Sequence, residues 1–179
     1  MPVRAGSARR YADALFSIAA ERGTEDAWGG ELDSLAAVVQ HPAALSALAG
    51  PDLSLEQKGR IINAAAGPLS REVRSLADIL LQRKRIGLAP QLAEEFHRRI
   101  RQQRGIELAD VISAVPLAID EKRIVEERLA HYLGRTVEIR MRTDPAIIGG
   151  IVARVGDQLI DASVRGRLES LRKRLKAGE

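Results

Sequence analysis

The sequence predicts a mainly α-helical protein, in which an N-terminal six-helix bundle is followed by a small C-terminal α/β domain of order β-α-β-β-α. Up to Gly105, amphipathic segments of helical length alternate with short breaks at glycine and proline. After Gly105, the segments shorten and become β-branched or alternate apolar with polar residues. Hydrophobic residues make up 45% of the 179 residues and aromatic residues only 3%, so aliphatic side chains must build the core. We therefore expect two domains, residues 1–105 and 106–179.

The first three helices are predicted from their start and stop residues. Ser7 can cap the first helix, which should end before Gly23. Thr24 precedes two acidic residues, which the helix dipole favours in a first turn, and opens a second helix that reaches about Gln40. A short third helix fits between residues 42 and 50, where proline and glycine mark its ends.

The next three helices carry similar signals. Ser54 and Gln57 have the spacing of a capping box, in which each side chain binds the backbone N–H of the other residue, and this helix should end near Gly67. A fifth helix is predicted for residues 70–85, with cations in its last turn, and a sixth for residues 90–104. Because the connecting segments are short, consecutive helices should pack as neighbours.

The second domain is predicted from changes of periodicity. Apolar residues alternate with charged residues at positions 137–141, which is typical of a half-buried strand. Gly156 and Asp157 separate two apolar runs and predict a tight hairpin. The predicted elements are, in order, a strand at 106–115, a helix at 120–133, a strand at 137–141, a turn at Asp144-Pro145, hairpin strands at 151–155 and 159–161, and a last helix capped by Asp161 or Ser163.

No set of residues predicts catalysis, a cofactor or a metal site. Gly149, Gly150 and Gly156 lack the Gly-Lys-Ser/Thr ending of a phosphate loop, and no helix opens at them. Asp157 and Asp161 occupy a turn and a helix start, where each has a structural role. The three histidines are isolated from one another, and cysteine is absent. We therefore do not expect an enzyme.

Composition narrows the remaining classes of protein. No apolar run approaches the roughly 18 to 20 residues of a membrane span, and the basic start lacks the apolar stretch of a secretory signal. We expect a soluble, cytoplasmic protein. The net charge of +4 comes from basic residues that are interleaved with acidic ones, and aromatic side chains for stacking on bases are scarce. Binding of DNA or RNA is therefore the alternative function and not the first choice.

The first and fifth helices are apolar over an unusually wide arc. At 100° per residue each arc covers about 200°, whereas a surface helix usually shows an apolar stripe of about 100° or somewhat more. Either both helices are central to the bundle, or each keeps an apolar strip for a helix of another protein, and the residues alone favour neither choice. Trp28 can likewise lie in the core or contact a partner.

The predicted last helix carries a narrow apolar stripe, which consists of Val164, Leu168, Leu171 and Leu175. Cations crowd the rest of its surface, and Glu169 is the one acidic residue inside the helix. The cations fit a solvated face, a surface that attracts an acidic partner helix, or a position near an anionic membrane.

The segment from Asp144 to Leu175 resembles the C-terminal signature of the δ subunit of F-type ATP synthases, the family of the mitochondrial oligomycin-sensitivity-conferring protein. The resemblance is carried by Gly149, Gly150, Gly156, Asp157, Asp161 and the run Val164-Arg165-Gly166-Arg167-Leu168. A weaker resemblance to the first helix of the family lies in Arg10-Tyr11-Ala12-Asp13-Ala14-Leu15-Phe16. The length and layout between these segments fit the same family, so the resemblance covers the whole chain.

The resemblance implies a non-catalytic stator subunit of the peripheral stalk. Such a subunit links the catalytic α/β head to the b-subunit stalk, so that the head does not turn with the rotor during proton-driven ATP synthesis. The resemblance further implies a single copy per complex, no bound nucleic acid and no cofactor. It also implies a place on the cytoplasmic side of the bacterial cell membrane, reached only through the complex.

Two partner sites follow from the resemblance. Helices 1 and 5 of the family form a groove for the N-terminal helix of an α subunit, and the candidate residues here are Tyr11, Ala14, Leu15, Ile18, Leu76, Ile79, Leu80 and Arg83. The C-terminal domain of the family holds the C-terminal end of the b-subunit stalk, and the candidates are Val164, Arg165, Arg167, Leu168, Leu171, Arg172 and Leu175.

Overall fold

The computed structural model describes residues 3–177, and the side chains of residues 6–176. It confirms the predicted fold class. The helices of the first part are α1 (Val3–Arg22), α2 (Glu25–Gln40), α3 (Pro42–Ala49), α4 (Leu55–Ala66), α5 (Arg71–Gln82) and α6 (Ala89–Arg104). The later elements are β1 (Ile106–Ser113), α7 (Ile119–Leu133), β2 (Thr136–Thr143), β3 (Ile151–Val155), β4 (Gln158–Asp161) and α8 (Val164–Ala177), and short 3₁₀ turns occupy Ile86–Leu88 and Pro145–Ile147.

The chain packs as two compact units, one ending at Ile100 and one beginning at Arg101. The last turn of α6 therefore groups with the second unit, whereas the sequence pattern changes at Gly105. That residues 1–105 and 106–179 fold as separate domains stays a prediction.

The helix caps agree with the sequence signals at some positions and differ at others. Ser54 Oγ accepts a hydrogen bond from Gln57 N at 3.2 Å and Gln57 Oε1 accepts one from Ser54 N at 2.8 Å, which confirms the capping box. The expected cap at Ser7 is wrong, because α1 already begins at Val3 and Ser7 is buried within it. The Ser7 hydroxyl has a tertiary partner instead, the Arg85 guanidinium. Thr24 precedes α2 as expected but makes no side-chain cap, since its backbone (φ −113, ψ 16) is not in the extended conformation of an N-cap.

Aliphatic side chains fill the core of the first unit, as their abundance predicts. Its largest fully buried side chains include Leu32, Leu35, Leu48, Leu80, Leu92 and Phe96. The ring of Phe16 meets that of Phe96 edge to face, with centroids 5.8 Å apart. Trp28 belongs to the same buried cluster, which supports its core role.

The second unit is built on a mixed four-stranded sheet of order β2-β1-β3-β4. β1 and β2 are parallel, and their connection contains α7, because parallel neighbours need a long crossover. β1 and β3 are antiparallel, and β3 and β4 form the predicted hairpin around Gly156. One face of the sheet is apolar and packs with α7; its buried residues are Ala109, Val111, Val137, Ala153, Val155 and, from the helix, Leu129.

Candidate partner-binding surfaces

Helices α1 and α5 lie side by side and run in opposite directions. Arg22 in the last turn of α1 pairs with Glu72 in the first turn of α5. Near the other end, Arg85 Nη1 donates to Ser7 Oγ at 3.5 Å. The hydrogen bond from Arg22 holds the pKa of the Glu72 carboxyl below its usual value, so this carboxyl is charged at neutral pH. These contacts set the direction and register of the two helices.

The structure divides the candidate residues of α1 and α5 between core and surface. Leu15, Leu76 and Leu80 are buried in the bundle, and Tyr11 is half-buried. The exposed candidates are Ala14, Ile18, Ile79 and Arg83. We call these four residues the α1–α5 strip. Ile18 is 39% and Ile79 40% exposed, so most of each wide apolar arc faces the core and a narrower part faces solvent.

A charged pair between α1 and α6 fixes the orientation of this strip. Asp13 Oδ1 accepts a hydrogen bond from Arg99 Nε at 2.5 Å, which ties α1 to α6 and lowers the pKa of the Asp13 carboxyl. Ala14 and Ile18 are left outside. Sequence reasoning missed this pair and the Arg22–Glu72 pair, since partners 86 and 50 positions apart leave no periodic signal.

A compact cap fixes the first turn of α8. Ser163 Oγ accepts a hydrogen bond from Gly166 N at 2.9 Å, and Asp161 Oδ1 accepts one from Ser163 N at 2.9 Å. Hydrogen bonds from Ser163 hold the pKa of the Asp161 carboxyl below its usual value. Gly166 lies so close that a Cβ atom there would be 2.5 Å from Asp161 Oδ2. Of the two residues that the sequence offered, Ser163 therefore caps α8, and Asp161 holds Ser163 in place.

The double glycine packs against the same turn. The carbonyl of Gly149 accepts from Val164 N at 2.9 Å. Gly150 has φ +76, and a Cβ atom there would be 2.4 Å from Ala162 O. The positive φ and the short distance to Ala162 O both disfavour any residue larger than glycine at position 150. These signature residues therefore position the start of α8 and present no reactive group.

Beyond its first turn, α8 is exposed on all sides. Every residue from Arg167 to Lys176 is exposed, including Leu168 at 54% and Leu175 at 71%. We call Val164, Leu168, Leu171 and Leu175 the α8 stripe. The candidate cations Arg165, Arg167 and Arg172 are exposed as well, and Arg165 Nε pairs with Glu169 Oε1 at 3.1 Å. An exposed apolar stripe with basic flanks is suited to binding a partner helix.

The described residues hold no arrangement typical of metal binding. Within residues 3–177, no three His, Cys, Asp or Glu side chains are grouped so that they could hold a metal ion. No helix of this part of the chain is long and apolar enough to cross a membrane. His97 Nε2 lies 2.9 Å from Asp33 Oδ2 and connects α6 with α2, while His41 and His131 are exposed.

The chain is similar to known proteins over nearly its whole length. Residues 8–175 match the family "ATP synthase delta (OSCP) subunit". The chain is 37% identical over 170 residues to ATP synthase subunit delta of Geobacillus sp. (strain WCH70), with 94% of this chain and 96% of the relative covered. It is 38% identical over 172 residues to ATP synthase subunit delta of Anaeromyxobacter dehalogenans (strain 2CP-C), with the same coverage. The subunit of Laribacter hongkongensis (strain HLHK9) is 33% identical over 171 residues, with 95% and 96% covered.

A solved structure has the same fold. A chain in the Toxoplasma gondii mitochondrial ATP synthase hexamer matches with a TM-score of 0.66 and 19% identity, and the match covers 94% of this chain and 96% of that one. At this identity the likeness shows the fold alone. None of these similarities favours the nucleic-acid alternative. Because the family match runs through residues 8–175 and the named relatives are 33% to 38% identical over almost the entire chain, the protein belongs to the ATP synthase delta (OSCP) subunit family.

Proposed function

We propose that this chain is a non-catalytic peripheral-stalk subunit that links the catalytic α/β head of F-type ATP synthase to the b-subunit stalk. Family membership associates the chain with ATP synthase. The observation that supports a linking role is the presence of two exposed apolar surfaces on different units, the α1–α5 strip and the α8 stripe. A connector needs two surfaces that can be occupied at once, and it resists the torque of the rotor only while both are bound.

The α1–α5 strip is the proposed surface for the head. An amphipathic helix from the N-terminus of an α subunit would lay its apolar face across Ile18 and Ile79, beside Ala14 and Arg83. Leu15, Leu76 and Leu80 lie beneath this surface and support it in the conformation described. Their contribution is therefore the shape and rigidity of the strip.

The α8 stripe is the proposed surface for the C-terminal end of the b-subunit stalk. Its leucines would form the apolar contact, while Arg165, Arg167 and Arg172 attract acidic side chains and raise the rate of association. Bound in this way as a single copy, the chain would lie on the cytoplasmic side of the bacterial membrane through the complex. Catalysis would remain with other subunits.

Two charge insertions test the assignment of the surfaces. Ala14→Asp places a carboxylate in the head contact, and Leu171→Asp places one in the stalk contact. A buried unpaired charge costs about 3 kcal/mol or more, which weakens binding by roughly a hundredfold. Each variant is titrated by calorimetry against a peptide of the α-subunit N-terminus and against the soluble part of the b subunit. Ala14→Asp should lose only the first partner, and Leu171→Asp only the second.

Matched controls carry the same charge at exposed positions outside both surfaces. Ala37→Asp on α2 and Ser170→Asp on α8 should retain both partners, since both residues are exposed. Circular dichroism checks that every variant is folded. The proposal fails if Ala14→Asp and Leu171→Asp, both folded, bind both partners as tightly as the unmodified chain.

A further inference from the structure

The sheet of the second unit has a face that α7 does not cover. Strand register places alternate residues of the four strands on this face. All of them are half-buried or exposed, and Leu159 is 61% exposed. We call this surface the open face, and its residues are Ile106, Leu108, Asp110, Ile112, Thr136, Glu138, Arg140, Arg142, Val152, Arg154, Leu159 and Asp161.

The open face carries three arginines and three carboxylates, and each carboxylate already has a partner within the chain. Glu138 pairs with Arg101 at 3.7 Å, and Asp161 Oδ1 accepts a hydrogen bond from Ser163 N at 2.9 Å.

Arg140 Nε donates to Asp110 Oδ1 at 2.7 Å. That bond first, and then the charges of Arg140, Arg142 and Arg154, hold the pKa of the Asp110 carboxyl below its usual value. Strand register places Arg140 and Arg154 directly opposite Asp110 on its two neighbouring strands. Within the part of the chain that the structure describes, Arg142 and Arg154 form no ion pair within 4.0 Å. Two cations thus remain for an anionic partner.

Apolar side chains lie between these cations. Ile112 is directly opposite Val152, and Arg154 is directly opposite Leu159. Leu108 precedes Ile112 by four positions on β1, about 13 Å at 3.3 Å per residue. Two turns of an α-helix span about 11 Å, so one apolar stripe of a helix can contact both residues. Carboxylates beside that stripe would meet arginine, which binds them in a bidentate manner.

Other occupants match this surface less well. The chain's own α8 carries cations on both sides of its stripe, so like charge disfavours its docking there. The residues of the open face include no aromatic ring on which a nucleic-acid base could stack. An acidic helix from another chain satisfies both the apolar residues and the two arginines.

We propose that the open face docks an acidic amphipathic helix of a partner protein, with apolar side chains on Leu108, Ile112 and Val152 and carboxylates on Arg142 and Arg154. The open face shares no residue with the α8 stripe. The inference therefore does not depend on how the stalk is bound.

A designed peptide provides the probe. It is a helix of roughly 18 residues, about 27 Å long, with a leucine stripe flanked by glutamates, and a matched peptide has lysines in place of the glutamates. Both are titrated against the full chain by fluorescence anisotropy. Combining Arg142→Glu with Arg154→Glu should weaken binding of the acidic peptide about tenfold or more and strengthen binding of the basic one. Arg142→Gln with Arg154→Gln replaces this variant if circular dichroism shows that it is unfolded.

The control variant separates the open face from α8, which is also basic. Lys173→Glu with Arg174→Glu changes two exposed cations of α8 that are not assigned to the stalk contact, and it should leave at least half of the affinity for the acidic peptide. The proposal is overturned if binding falls only in this α8 variant, or if the open-face variants bind the acidic peptide with full affinity. It is also overturned if a short DNA duplex, and not the peptide, binds in a manner that depends on Arg142 and Arg154.

Discussion

Replacing Gly150 by alanine should displace the start of α8. Gly150 has φ +76, where a side chain is strained, and an added Cβ atom would be 2.4 Å from the carbonyl oxygen of Ala162. That oxygen belongs to the backbone just before α8, so it cannot rotate away as a side chain could. Relief therefore requires a shift of the segment that carries the cap of α8.

The size of the effect follows from two separate costs. A left-handed backbone conformation costs a non-glycine residue about 1 to 2 kcal/mol. Forcing an extra carbon into a packed site adds about 1 to 3 kcal/mol. Gly150→Ala should therefore lower the free energy of unfolding by about 2 to 5 kcal/mol. Gly156 is a matched control with φ +57 and no atom within 4 Å of its added Cβ, so Gly156→Ala should cost only the first term, about 1 to 2 kcal/mol.

Urea denaturation followed by circular dichroism measures both free energies. Trp28 is the only tryptophan and lies in the first unit, so its fluorescence reports separately whether the bundle stays folded. The reasoning is refuted if Gly150→Ala costs no more than Gly156→Ala. In that case the approach of the backbone to Ala162 does not determine where α8 begins.

Three further outcomes are expected from the local structure. Asp161→Asn should lower the free energy of unfolding at pH 7 and make that free energy fall less steeply below about pH 4. A carboxyl whose pKa is depressed in the folded state stabilises the fold above its ordinary pKa of about 3.9, and this stabilisation is lost as the pH falls through the folded-state pKa. Unfolding curves between pH 7 and 3 test this prediction. Gly59→Ala should stabilise α4 by about 0.5 to 1 kcal/mol in urea denaturation, since glycine is costly within a helix and its added Cβ meets no atom within 4 Å; a loss of stability would contradict this. Ser54→Ala should cost about 1 kcal/mol in the same assay because it removes the Oγ of the capping box, and an unchanged midpoint would show that this bond contributes nothing.

Local signals in the sequence were sufficient for most of the secondary structure and for the family. The capping box of Ser54 and Gln57, the hairpin at Gly156 and the alternating strand at 137–141 each depend on neighbouring residues. The glycines around α8 are likewise visible in the sequence, because glycine is the residue that most readily adopts a positive φ or allows a close backbone approach. The signature could therefore be read before its structural role was known.

The tertiary structure alone decided which parts of the apolar arcs remain at the surface. Periodicity shows that α1 and α5 are apolar over about 200°, but coverage depends on neighbouring helices from distant positions. The structure buries Leu15, Leu76 and Leu80 and leaves Ile18 and Ile79 exposed.

Contacts between segments that are distant in sequence also explain what the sequence did not predict in the second unit and at the start of α1. The arginines of the open face come from different strands, and strand order and register place Arg140 and Arg154 directly opposite Asp110. Ser7 has a capping side chain, yet its partner is Arg85 from beyond α5. A residue type and its spacing determine the local conformation that is favoured, whereas burial and charge pairing are set by segments that meet only when the chain has folded.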